Sequence, residues 1–154
     1  GIKQAEQIEV LRKLWTEELV TFEGRFHKYN EVTIVPSPKQ RPIPIWIGGS
    51  ADSVIKRAAK LGDGWMPILS PDKEGKTALE KLYTYLEEFG RKREGFGIEA
   101  WMRFSEDNPE VWGATADEWR SMGVDMAMLY PMWEIKGVDG QIEILRKFKE
   151  VAHS

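Results

Sequence analysis

The sequence predicts a parallel α/β fold. Three observations carry that reading. A short apolar run, Ile45-Trp46-Ile47, passes directly into Gly48-Gly49-Ser50 and then into a helical pattern. Strand-length apolar runs alternate with amphipathic helical stretches through residues 45–154, at about 30 residues per strand–helix unit. Glycines fall where a helix would hand back to a strand, at Gly62 and Gly123.

Residues 1–19 form a helical segment, with Ile8, Leu11, Leu14, Trp15 and Leu19 at helical spacing and charges between them. Residues 20–44 read as a hairpin turning near Glu23-Gly24, a further strand over 31–35, and an extended loop punctuated by Pro36, Pro38, Pro42 and Pro44. Four strand–helix units then fill 45–154. The first strand is Ile45–Ile47, and its helix, Asp52–Leu61, turns Val54, Ile55, Ala58 and Ala59 inward and ends at Gly62. The second strand is Gly64–Leu69, followed by a helix that Thr77 and Glu80 open as a capping box and that buries Leu79, Leu82, Leu86 and Phe89. The third strand spans Phe96–Phe104, and Thr115 with Glu118 opens the next helix. The fourth strand is Val124–Tyr130, and Asp139 caps a last helix with Ile142, Leu145, Phe148 and Val151 on one face. The run Arg91-Lys92-Arg93 sits where cations suit a helix end.

Composition narrows the function. With 154 residues, 42% hydrophobic and 31% charged, the chain has the make-up of one soluble globular domain. A net charge of −3 and the lack of a long basic run argue against a nucleic-acid surface. The absence of cysteine excludes disulfides, thiol catalysis and Cys-ligated zinc. His27 and His153 are far apart and near no ligand pattern, so no metal site is expected. No stretch is apolar for the ~20 residues that span a bilayer, and no signal pattern opens the chain, so a cytoplasmic protein is expected. The chain starts at Gly1 rather than Met, which suggests a fragment.

Gly48, Gly49 and Ser50 are the leading site residues. Two glycines and a hydroxyl between a strand and a helix start let a backbone approach an anion while the first helical N–H groups face it. The plain alternative is a tight turn with Ser50 as helix cap. Asp63, Gly64 and Trp65 form the next group, read either as part of a cofactor pocket or as a turn with Trp65 in the core. Glu99, Trp101 and Arg103 share one strand face, as an ion pair or with Arg103 turned to an anionic ligand. Met126, Met128 and Tyr130 make a similar stripe, expected in the core. Trp112, Trp119 and Trp133 are expected to cover helix and loop contacts. No catalytic residue can be assigned.

The segments Leu14–Glu18, Phe22-Glu23-Gly24-Arg25-Phe26, Pro42–Ser50 and Arg57–Trp65 occur in that order, followed by Gly123-Val124-Asp125. The series resembles the bacterial luciferase-like monooxygenases, which include flavin- and coenzyme F420-dependent oxidoreductases. The resemblance implies the C-terminal half, strands five to eight, of a (β/α)8 TIM barrel, preceded by a helix and a small β insertion. It implies that Gly48, Gly49 and Ser50 hold the phosphate of FMN or coenzyme F420, with Asp63, Gly64 and Trp65 near the C-terminal end of the sixth strand. It further implies a small organic substrate, oxygen activation with flavin or hydride transfer with deazaflavin, and no metal. Strands one to four have no counterpart here, and His27 lies in the insertion rather than at the luciferase histidine. A homodimer, or pairing with the missing half-barrel, is expected from the open sheet edges. The competing readings are a non-catalytic flavin-binding or self-associating half-barrel, and a phosphosugar enzyme of another barrel family.

Overall fold

A computed structural model describes residues 1–103, 109–130 and 137–152. The chain forms two compact units, Gly1–Ile45 and Trp46–Ser154.

In the first unit, α1 (Ile2–Thr16) ends where Glu17 turns extended, at φ −102° and ψ 144°. Leu19 therefore lies off the helix and is 54% exposed, and Leu11 also faces outward, while Ile8 and Val10 are buried. β1 (Val20–Glu23) pairs antiparallel with β2 (Lys28–Val32). Glu23 is still paired with Lys28, so the turn is Gly24–His27 rather than Glu23-Gly24, closed by the Gly24 N–H on the His27 carbonyl at 2.9 Å. Residues 31–32 finish β2, and 33–35 form no strand of their own.

The second unit alternates β3 (Trp46–Gly48), α2 (Asp52–Leu61), β4 (Gly64–Met66), α3 (Lys73–Glu88), β5 (Gly97–Arg103), α4 (Pro109–Ser121), β6 (Met126–Tyr130) and α5 (Val138–Ala152). The four strands are parallel in the order β3-β4-β5-β6. β4 is shorter than the expected Gly64–Leu69, because Pro67 has no N–H for the ladder. Three helix starts also differ from the sequence reading. Asp72 caps α3, accepting from the N–H groups of Glu74 (2.8 Å) and Gly75 (3.1 Å). Thr77 lies a turn inside, its hydroxyl on the Lys73 carbonyl. Thr115 is likewise inside α4, bonded to Val111 O, and that helix begins at Pro109, where a residue without N–H leaves no orphan donor. Asp139 lies within the first turn of α5 rather than before it.

Side chains alternate across a strand, so the register divides the sheet into two faces. Ile47, Trp65 and Ile98 are level with one another and buried, on the side where α2 (Ile55, Ala58, Ala59), α3 (Leu79, Leu82, Leu86) and α4 (Trp112, Ala116, Trp119) build the core. The inward stripe of α5 runs through Ile144, Phe148 and Val151, leaving the expected core residues Ile142 and Leu145 exposed.

The opposite face carries Trp46, Met66, Glu99, Trp101, Met126, Met128 and Tyr130. It is only partly covered. Met126 is 49% exposed, so the methionine stripe does not lie in the core. Trp101 and Tyr130 stack at 5.1 Å, and Glu99 accepts the Trp101 indole N–H at 3.2 Å. The Arg103 side chain, Phe104, Trp133 and His153 lie outside the described residues. At the strand N-termini of this face, Trp46 lies over Gly64 and Gly97. A Cβ on either glycine would overlap its ring.

The Arg91 and Arg93 side chains bond outside the helix before them. Arg91 reaches back to the carbonyls of Ala59 (2.8 Å) and Gly62 (2.7 Å), capping the C-terminus of α2. Arg93 ties the start of β5 to that of β6 through Phe96 O, Gly123 O (2.9 Å) and Asp125 Oδ2 (2.8 Å), and the same oxygen accepts Ile98 N–H at 2.7 Å. That clamp accounts for Asp125 in the Gly-Val-Asp motif.

Candidate functional site

The site is built at the C-terminal end of β3. Gly48 is exposed and ends the strand, and Gly49 N–H still pairs with Met66 O across to β4, at 3.1 Å. Gly49 then takes φ +124°, a conformation side chains rarely adopt, and a Cβ there would sit 3.2 Å from Val54 Cγ1. The chain thereby turns within one residue into α2, whose N-cap is Ala51 rather than Ser50.

The Ser50 hydroxyl does a different job from capping. It donates to Ile68 O and accepts Ile68 N–H, each at 3.2 Å, pinning the β3–α2 loop to the segment after β4. The donors open to a ligand are backbone ones. Among the described residues, no partner is recorded for the N–H groups of Ser50, Ala51, Asp52 and Ser53, while Val54 and Ile55 already bond Ala51 O. These are the orphan donors of a helix start, with the positive end of the helix dipole behind them.

Asp52 is the one acidic side chain in this turn, and its charge is engaged sideways. Lys81 Nζ lies 3.0 Å from Oδ1 and Tyr85 donates to Oδ2 at 2.9 Å. The Lys81 and Tyr85 hydrogen bonds hold the Asp52 carboxyl below its ordinary range, and the same contact raises the Lys81 ammonium. The carboxylate of this turn is thus already paired.

Gly48, Gly49, Ser50 and Trp65 come together. Trp65 is fully buried on the helix side of β4, and its indole N–H bonds the Gly49 carbonyl at 2.8 Å. Asp63 and Gly64 do not join them. Gly64 pairs with Trp46 at the N-terminal end of β4, about 7 Å below the level of Gly48 at ~3.3 Å per residue. Their place is thus opposite to the strand C-terminus expected for them. Gly64 makes room for Trp46, and Asp63 O accepts Gly97 N–H at 3.0 Å.

The sequence reading missed an anion nest in the first unit, which the chain fills itself. The Glu6 carboxylate accepts the N–H groups of Arg25 (2.8 Å), Phe26 (2.9 Å) and His27 (2.7 Å), and His27 Nδ1 lies 2.8 Å away. Gly24 permits this, since a Cβ there would overlap the carboxylate. Burial would raise the Glu6 carboxyl, but the His27 and backbone hydrogen bonds outweigh it and hold the group below its ordinary value. The segment Phe22–Phe26 is therefore an attachment of the hairpin to α1. Nothing local could have disclosed it, because the partners are 19–21 residues apart. Among the described residues, no group of three or more acidic or histidine side chains is placed to hold a metal, and no helix is long and apolar enough to cross a membrane.

A family model for luciferase-like monooxygenases matches residues 3–132. The chain belongs to the luciferase-like monooxygenase family. It is 33% identical over 106 residues to an F420-dependent glucose-6-phosphate dehydrogenase of Kineococcus radiotolerans, covering 66% of this chain and 31% of that protein. An uncharacterized protein of Mycobacterium tuberculosis is 44% identical over 66 residues, 43% of this chain and 22% of its own. The chain thus spans about a third or less of these relatives. Among solved structures, an F420-dependent secondary alcohol dehydrogenase in complex with an F420-acetone adduct superposes with a TM-score of 0.60 at 17% identity, over 96% of this chain and 52% of that one. The coenzyme F420-dependent tetrahydromethanopterin reductase of Methanopyrus kandleri gives 0.57 at 21%, over 80% and 40%. At these identities the likeness is one of fold, a parallel α/β sheet like that of the luciferase-like barrel enzymes.

Proposed function

We propose that this chain supplies the cofactor-phosphate site of a flavin- or deazaflavin-dependent oxidoreductase acting on a small organic substrate. The observation that carries the reading is the open first turn of α2 behind Gly49, where backbone donors converge and a Cβ would crowd Val54. Gly48 and Gly49 let the phosphate approach the backbone, and Ser50 contributes its N–H while its hydroxyl holds the loop to Ile68. Asp63 and Gly64 contribute through the placement of β4, and Trp65 through its bond to Gly49. The bound ring supplies the redox chemistry, and these residues anchor and orient it. The F420-dependent relatives favour coenzyme F420 over FMN.

In the same proposal the four strands are the fifth to eighth of a (β/α)8 barrel. The face bearing Trp46, Met66, Trp101 and Tyr130 is covered by the barrel's other half, for which the greater length of the relatives leaves room. Sedimentation velocity separates the occupants: a monomer leaves the face to further chain, and a dimer assigns it to a second copy.

The phosphate site is tested by titrating the chain with coenzyme F420 and its dephosphorylated ring, and with FMN and riboflavin. The phosphate-bearing member of at least one pair binds about tenfold or more tightly, as expected for hydrogen bonds to a charged group. Replacing Gly49 with a bulky residue removes that margin. Equal binding within both pairs by the wild-type chain rejects the reading.

A further inference from the structure

We infer that Trp65 is the positioning residue of the phosphate cradle, acting through the peptide between Gly49 and Ser50. The inference rests on the reading of residues 48–50 as that cradle. A trans peptide is planar, and its C=O and N–H point in opposite directions. The cis bonds of the described chain are both at prolines, so the Gly49–Ser50 peptide is trans. Its carbonyl is held inward by the Trp65 indole N–H at 2.8 Å. The Ser50 N–H of the same plane is therefore turned away from the buried indole, towards the side where no protein acceptor is recorded among the described residues.

A glycine at φ +124° solves one problem and creates another. It removes the Cβ that would crowd Val54, but it is also the residue with the greatest backbone freedom, so its following peptide is the one most able to flip. A flipped plane would present a carbonyl oxygen to an anion. Trp65 opposes the flip from a rigid place: its ring is fully buried, and its strand neighbours Gly64 and Met66 flank it in the ladder. A buried indole N–H needs a partner, and the Gly49 carbonyl is the one it has. The bond thus fixes the sign of the charge the loop presents.

The test is Trp65→Phe, which keeps an aromatic ring and removes the donor. The readouts are affinity for FMN against riboflavin, and for coenzyme F420 against its dephosphorylated ring. The Ser50 amide resonance is followed alongside as inorganic phosphate is added. The expected result is a ten- to hundredfold (about one charged hydrogen bond) fall in affinity for the phosphate-bearing member, with the phosphate-free affinity kept and the Ser50 amide no longer responsive. Equal losses for both members would mean a merely structural tryptophan and would overturn the inference. So would a variant that keeps the wild-type margin, and in both cases the cradle would stand. A wild-type chain with no margin at all would overturn the cradle and this inference together. If Trp65→Phe does not fold, benzothienylalanine at 65 removes the N–H at nearly constant shape, and the same comparison decides.

Discussion

Gly49→Ala separates backbone strain from ordinary substitution cost. Gly49 has φ +124°, beyond the small left-handed basin open to other residues, and an added Cβ would lie 3.2 Å from Val54 Cγ1. Strain of this kind costs about 1–3 kcal/mol, and the close Val54 contact places Gly49→Ala in the upper part, about 2–3 kcal/mol. A domain of this size loses roughly 4 °C in Tm per kcal/mol, so the expected drop is about 8–12 °C. Gly90→Ala is the control. Gly90 has φ +64°, inside the left-handed basin, with no heavy atom within 4 Å of the added Cβ. Its cost is about 1 kcal/mol, or roughly 4 °C. Thermal melts by circular dichroism measure both. A double-mutant cycle with Val54→Ala isolates the contact from the dihedral term, because the two residues touch. Equal shifts for Gly49→Ala and Gly90→Ala would refute the strain argument, and a coupling of zero with Val54 would refute the contact.

Two further outcomes follow from other parts of the chain. Gly97→Ala drives a Cβ into the Trp46 ring and costs about 1–3 kcal/mol in urea unfolding, and Trp46→Leu in the same chain recovers most of it; additive losses would mean the ring does not lie where it is placed. Glu6→Gln weakens the hairpin attachment, read as faster hydrogen exchange at Arg25, Phe26 and His27. Because the folded-state carboxyl lies below its ordinary 4.5, its stabilisation is present above that pH and is lost as pH falls through the folded value. The gap between wild type and Glu6→Gln is therefore widest near neutrality and closes in acid, and a gap independent of pH would refute the assignment.

What was legible in the sequence was what depends on near neighbours. The strand–helix rhythm, the Asp52–Leu61 helix and the inward positions Ile55, Ala58 and Ala59 follow from local periodicity, and the structure has them. Helix starts were misread where two residue types competed. Thr77 with Glu80 matches a capping box, but Asp72 after Pro71 captures the chain five residues earlier, and Thr77 then bonds back inside the helix. The loop Gly48-Gly49-Ser50 was visible as a motif, yet the share of its parts was not. The serine hydroxyl is engaged with Ile68, and Trp65, read either as pocket or as core, is buried and also bonds the loop's carbonyl. Those partners are 16 and 18 residues distant, and only the parallel pairing of β3 with β4 brings them together. The Glu6 nest and the Arg91 and Arg93 clamps were hidden for the same reason.

The two ends of α2 differ in what the fold pairs. Three carbonyls at its C-terminal end have partners: Gly62 N–H closes on Ala58 O, and Arg91 brings a full positive charge to Ala59 O and Gly62 O. The negative end of the helix dipole is thereby offset within the fold. Its N-terminal donors have no such partner among the described residues, and the nearest carboxylate, Asp52, is held aside by Lys81 and Tyr85. Here the fold commits an arginine to one end and keeps a glycine, a latched peptide and open donors at the other. In a parallel sheet that other end is the one where strands deliver their loops, and where α/β barrels hold their ligands. Packing and side-chain bonds concentrate at the strand N-termini, with Trp46 over Gly64 and Gly97 and the Arg93 clamp, while the backbone donors at the start of α2 lie at the opposite rim.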